Sequence, residues 1–118
     1  MITKDDCGRP FDYDTVSNRF DELAAVEIGK HFVSKEAMAE IENILDLDNR
    51  DEVGLRALRN AVVVLFCQKK RFEANIGPDG NVLPNEKVDY DRLMYWSTKI
   101  SGITAVIDNV LWKKGYSV

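Results

Sequence analysis

Hydrophobic positions recur at helical spacing along most of this chain, and most densely over residues 55–72, LRALRNAVVVLFCQKKRF. At about 100° per residue, Leu55, Leu58, Val62, Leu65 and Phe66 share one broad apolar face. Val63, Val64 and Cys67 fall on the opposite side. Residues 61–67 are therefore apolar all round, the pattern of a helix buried on more than one side. The run AVVVLF also favours a strand, because Val and Phe do. Helical spacing that begins before the run and continues past it decides for a helix. The stretch predicts the central helix of a small all-helical protein, or a helix sandwiched at a dimer contact.

Three further helices follow from the same periodicity. The first is predicted from Asp12, a capping residue, with Phe11 and Val16 placed as a hydrophobic staple. It runs to about Phe32 with Val16, Phe20, Leu23, Ala24 and Ile28 on one face, and Gly29 weakens its end. The second is capped by Ser34, with Val33 and Met38 as the staple pair, and ends near Leu47; Ala37, Met38, Ile41, Ile44 and Leu45 face inward. Asn49 and Glu52 have capping-box spacing for the central helix, whose far end carries Lys69, Lys70 and Arg71 where the dipole is negative. Residues 75–88, NIGPDGNVLPNEKV, read as a loop on Pro78-Asp79-Gly80 and Pro84, with room for a short hairpin. The last helix starts at Asp89, stapled by Val88 and Leu93. It continues through Trp96, Ile100, Ile103, Ile107, Val110 and Leu111, and stops at Lys113-Lys114-Gly115. FDYDTV and VDYDRL echo one another as the same capping solution used twice, since the residues after them do not match.

The expected architecture is all-α. A four-helix bundle-like single domain is built on a long antiparallel hairpin, 49–74 and 89–114, each arm roughly 35 Å long at 1.5 Å per residue. Two shorter helices cover it, residues 1–11 form an irregular arm, and 75–88 form the loop.

Composition narrows the function classes. Apolar residues are 45% and charged residues 31% of 118, within the range of a globular domain with a real core. Residues 1–59 carry 14 acidic and 8 basic side chains, and residues 60–118 carry 6 and 8, giving a net charge of −4. An acidic balance argues against nonspecific nucleic-acid binding. The longest apolar run is seven residues, far short of a membrane span. The N-terminus has no apolar h-region, so no secretory signal is visible. Cys7 and Cys67, far apart and in no metal spacing, read as two reduced thiols of a cytoplasmic protein.

Few residues point to chemistry. Glu27 and His31 stand four apart on the first helix, near the centre of its apolar stripe. A carboxylate and an imidazole there could share a metal or act as an acid–base pair, with Asp108 of the last helix as a third candidate. His31 is the one histidine, and helical di-metal sites use several Glu-x-x-His units. An ion pair near a helix end is the simpler reading, and no metal or cofactor is expected. The acids Asp46, Asp48, Asp51 and Glu52 fail as a calcium loop, because Asp51 stands where Gly is needed and Ala57 where the bidentate Glu is needed. Lys69, Lys70 and Arg71 point in three directions and form no basic face. GPDG matches no phosphate loop, and no nucleophile–base set is legible.

Surplus apolar surface remains. Val63, Val64 and Cys67 form a second strip on the central helix, and Met94, Ala105 and Trp112 one on the last. Ser97, Ser101 and Ala105 are small residues at four-residue steps, where another helix can approach closely. Apolar surface without an intramolecular partner marks an interaction site. The sequence thus predicts a non-catalytic protein–protein interaction module, an adaptor, inhibitor or regulator. It would self-associate as a homodimer through Val63, Val64, Cys67, Met94 and Trp112. The alternative is a small-ligand or metal-dependent enzyme centred on Glu27 and His31.

Overall fold

Three of the described helices begin where an aspartate takes over a backbone donor that the helix itself cannot satisfy. In the computed structural model, which describes residues 3–4, 10–26 and 35–116, α1 spans Tyr13–Val26, α2 Lys35–Leu45, α3 Glu52–Glu73 and α4 Tyr90–Lys113. A single 3-10 turn, Leu47–Asn49, lies between α2 and α3. Asp12 caps α1 by accepting from the Thr15 N–H at 3.0 Å and the Thr15 hydroxyl at 2.6 Å. Those bonds hold its carboxyl below the usual carboxylate range. Asp89 caps α4, accepting from the Arg92 N–H at 3.1 Å. Both starts match the sequence expectation.

The start of α3 differs from it. Asp51, not Asn49, is the cap, accepting from the Gly54 N–H at 2.8 Å. Asn49 is drawn into the 3-10 turn, where its Nδ2 donates to Asp46 Oδ1 at 2.6 Å. The cause is Leu47, fully buried, which folds the chain inward after α2 and leaves Asp46 in the left-handed region at φ 54°. Arg50 is buried as well and donates to the Leu45 carbonyl at 2.9 Å. Glu52 consequently becomes the first residue of the helix rather than the third. The end of α1, Gly29, Phe32 and the Val33–Ser34 start expected for α2 lie outside the described residues.

Helix ends close through residues at positive φ. Gly115, at φ 84°, ends α4: its N–H donates to the Trp112 carbonyl at 3.0 Å and that of Tyr116 to Leu111 at 2.9 Å, a Schellman closure. Asn75, at φ 66°, does the same for α3, with Ile76 N–H on the Arg71 carbonyl at 2.9 Å. The loop that follows folds on itself: Ile76 forms a lone antiparallel bridge with Val82, and Asp89 N–H returns to the Ala74 carbonyl at 3.1 Å. Near the N-terminus, Thr3–Lys4 (β1) pairs antiparallel with Pro10–Phe11 (β2), where an irregular arm is expected. Two paired residues on each side leave the class all-helical.

The most extensive helix contact is between α3 and α4. Residues early in α3 meet residues late in α4, and the reverse: Arg59 pairs with Asp108 at 2.7 Å, and Glu73 with Arg92. Between these pairs Leu55, Leu58, Val62 and Phe66 are buried with Ile103, Ile107 and Leu111. The Phe66 ring meets Trp96 of α4 at 5.7 Å and Tyr13 of α1 at 6.3 Å, binding three helices at one point. Val16 and Phe20 of α1 and Ala37, Ile41 and Leu45 of α2 close the core. Arg19 joins α1 to α2 through a two-pronged bond to Glu40, 2.5 and 2.9 Å. Leu65, expected inward, is only half-buried.

Leu58→Ala and Ile103→Ala should each destabilise the protein by about 2–5 kcal/mol, and Leu65→Ala by less, in urea unfolding. Equal costs at all three positions would contradict this burial order.

Candidate functional site

Two features of the described residues stand out. One is a buried charge, and the other is a set of large apolar side chains exposed on the outer sides of α3 and α4.

Lys99 is the buried charge. It lies on α4, three residues after Trp96 and four before Ile103, within the inward stripe. Only 1% of it is exposed. An ammonium has three donors and must spend them all when water is excluded. It does so on the Ser17 hydroxyl at 2.8 Å, the Tyr95 hydroxyl at 2.7 Å and the Asp21 carboxylate at 3.0 Å. Tyr95 passes its own hydrogen to Asp21 at 2.7 Å. The rings of Trp96 and Tyr95 stand 4.5 and 4.6 Å from the ammonium, adding cation–π attraction. Burial lowers the Lys99 pKa from its ordinary value of 10.5, and Asp21 partly offsets this. Burial, then Asp21, raises the Tyr95 phenol above 10.0. Trp96 Nε1, also buried, has no acceptor among the described residues.

Serine 17 and Asp21 sit one turn apart on α1, and Tyr95 and Lys99 one turn apart on α4, so the cluster ties these two helices. With every ammonium hydrogen engaged, Lys99 is held as a structural cation rather than presented as a nucleophile. The sequence expectation does not include it, although a lysine in register with Trp96 and Ile103 interrupts an apolar stripe. Asp21 and Ser17 carry no such signal, because each is an ordinary neighbour of a buried residue.

The enzymatic candidates separate. Asp108 is half-buried and receives Arg59 on both oxygens, at 2.7 and 3.2 Å, so its carboxylate braces α3 against α4. Glu27 and His31 lie outside the described residues. Among the described residues, no group of three or more His, Cys, Asp or Glu could hold a metal ion. No helix among them is long and apolar enough to cross a membrane.

The interaction candidates fall on the outer sides of α3 and α4. Val64 is 46% exposed, Met94 68% and Trp112 72%, while Val63 and Cys67 are half-buried, the latter a free thiol. The central helix, apolar all round in sequence, is thus covered on one side by this chain and open on the other. Val53, Phe72 and Tyr90 are exposed too. Periodicity alone did not single these three out, because each stands at a helix end. The middles of the two helices carry no exposed charge: no charged residue occurs over residues 60–68, and the one at 97–107 is Lys99, which is buried.

No protein-family model, no curated protein and no solved structure matches this chain.

Lys99→Met, which keeps the stem and drops the charge, should cost roughly 1 kcal/mol, whereas Lys99→Ala should cost about 2–4 because it also opens a cavity. The sign of the pH effect follows from the lowered pKa. Between the folded-state pKa and 10.5 the unfolded chain binds the extra proton, so the Lys99 contribution to stability rises with pH in that window. Urea melts at rising pH up to the lysine's ordinary value of 10.5 should therefore show wild type gaining on Lys99→Met. A constant difference would refute the assignment.

Proposed function

We propose that this chain is a four-helix bundle built on an antiparallel α3–α4 hairpin, and that it works as a non-catalytic protein–protein interaction module that self-associates. An adaptor, inhibitor or regulator is the class of role such a module fills. The observation that carries this reading is the uncovered outer face. Val64, Met94 and Trp112 spend large apolar area on solvent, on two helices whose opposite sides fill the core. Each stands on the side of its helix opposite the core, and the middles of both helices, residues 60–68 and 97–107, carry no exposed charge; exposed apolar side chains with depleted charge are what an interface uses.

The energetics are compatible with a reversible dimer. Covering a few Val, Met and Trp side chains at about 25 cal/mol per Å² supplies several kcal/mol before association costs. The acidic net charge, −4, favours a protein partner over nucleic acid. For the enzymatic alternative, the engagement of both Asp108 oxygens by Arg59 supports a bracing role at the one candidate the structure describes.

Sedimentation equilibrium at micromolar concentration should report a mass near twice 13.4 kDa. Val64→Asp, a change at an exposed position, should return the single-chain mass while leaving the helical circular dichroism and melting temperature nearly unchanged. A clean 13.4 kDa species in the wild type would overturn self-association.

A further inference from the structure

The contact that seats α1 on the α3–α4 hairpin is built differently from the one that joins the hairpin itself. Within the hairpin the core side chains are apolar: Leu55, Leu58 and Val62 of α3, and Ile103, Ile107 and Leu111 of α4, all fully buried. The buried side chains of α1 are Tyr13, Val16, Ser17 and Phe20, followed by the half-buried Asp21. Against Ser17 and Asp21 stands the Lys99 ammonium, at 2.8 and 3.0 Å. The ring of Trp96 lies 4.5 Å from the same ammonium, and its buried Nε1 has no acceptor among the described residues.

Closing α1 over this seat therefore carries a cost that closing α3 on α4 does not. An ammonium taken out of water recovers from its new partners little more than the hydration it gave up. An indole N–H buried without an acceptor recovers nothing. Water reaches both groups when α1 leaves. The lowered pKa of Lys99, with burial as its first cause, records the same penalty. What holds α1 down is chiefly Tyr13, Val16 and Phe20, with the Tyr13 ring 6.3 Å from that of Phe66. Its ion pair to α2, Arg19 with Glu40, is 38% and 44% exposed and adds little stability. The helix after it is anchored independently. Ala37, Ile41 and Leu45 of α2 are buried, and the corner that follows is pinned. There Arg50 donates to the Leu45 carbonyl at 2.9 Å, and Lys114 Nζ donates to the carbonyls of Asp48 at 2.9 Å and Arg50 at 2.7 Å.

We propose that α1 is a strap, which detaches and melts while α2, α3 and α4 stay folded, and that Lys99 with Ser17 and Asp21 is the catch that re-seats it. A helix of 14 residues is marginal in water once it loses its packing, so detachment and melting go together. Opening in units smaller than the whole fold is how a protein gives one segment its own stability. Re-seating is specific, because the ammonium is fully satisfied only where Ser17 and Asp21 return beside Tyr95. Opening bares the rings of Phe66 and Trp96 next to a cation. Phe66 is two residues, about 200° of helical turn, from the exposed Val64. The strap thus controls a surface on the other side of α3, and self-association through Val64 plays no part in it.

Hydrogen exchange of the native protein in rising, sub-denaturing urea tests this. Amides of residues 17–22 should open roughly tenfold or more as often as those of Leu58, Val62, Ile103 and Ile107, and with a weaker urea dependence. Leu111→Val lies twelve residues, about 18 Å along α4, from Lys99. It should speed exchange in the α3–α4 core and leave α1 unchanged, since it weakens the closed and α1-open forms equally. Should that variant not fold, the urea series on the wild type decides alone. Ser17→Ala should speed α1 exchange about tenfold, by stranding one ammonium hydrogen. Reductive methylation with formaldehyde and cyanoborohydride, read by mass spectrometry, reports Lys99 itself. Being 1% exposed, it should react at the frequency of α1 opening, unchanged by Leu111→Val and raised by Ser17→Ala. Exchange of α1 only through global unfolding would overturn the strap, and so would α1 and α2 exchanging as one unit. Lys99 reacting only at the frequency of global unfolding, or no effect of Ser17→Ala, would overturn the catch.

Discussion

Phe66 holds the molecule together at the point where three helices meet. Its ring packs on Trp96 from α4 and on Tyr13 from α1, and it is fully buried. Those contacts orient α3 so that Leu55, Leu58 and Val62 reach the core as well. They also bring Trp96, and with it Tyr95 and Lys99, against α1. A helix so apolar along residues 61–67 has only one side to offer the core. Its other side, with Val64, is left to solvent by the same rotation.

The polar contacts follow from that apolar packing and limit its alternatives. Lys99 enters the core on the stripe that carries Trp96 and Ile103, and its ammonium is tolerable only where Ser17, Asp21 and Tyr95 accept its hydrogens. A rotation of α1 by one residue would remove Ser17 and Asp21 together and strand the charge. Arg59–Asp108 and Glu73–Arg92 constrain the register of α3 on α4 from the rim. Partly exposed pairs of this kind add little stability, so their effect is on alignment.

Function, on the proposed reading, is the other consequence of the same economy. Charges in the middle of α3 and α4 are absent or turned inward, and the outward side is left small and uncharged at its centre with Met94 and Trp112 at its ends. On that reading the exposed apolar side chains suit another protein surface, because large apolar area left to solvent marks an interaction site. The side chains that would serve chemistry among the described residues, Lys99 and Asp108, are each committed to a structural partner.

The sequence alone determined the all-helical class, the helix starts at Asp12 and Asp89, the stop at Gly115, and the inward faces of α3 and α4. These are local properties: a capping carboxylate acts on an amide three residues on, and helical periodicity reads one element at a time. It also picked out Val64, Met94 and Trp112 as apolar positions off the main stripes. Tertiary structure decided what depends on neighbours distant in the chain. Only the packing of Leu47 moved the α3 cap from Asn49 to Asp51. Only the approach of α1 to α4 turned a lysine out of pattern into a satisfied buried cation, through acceptors 78 and 82 residues away. Which side of the uniformly apolar central helix is covered was likewise undecidable from periodicity, because an all-round apolar run has no preferred face until other helices choose one.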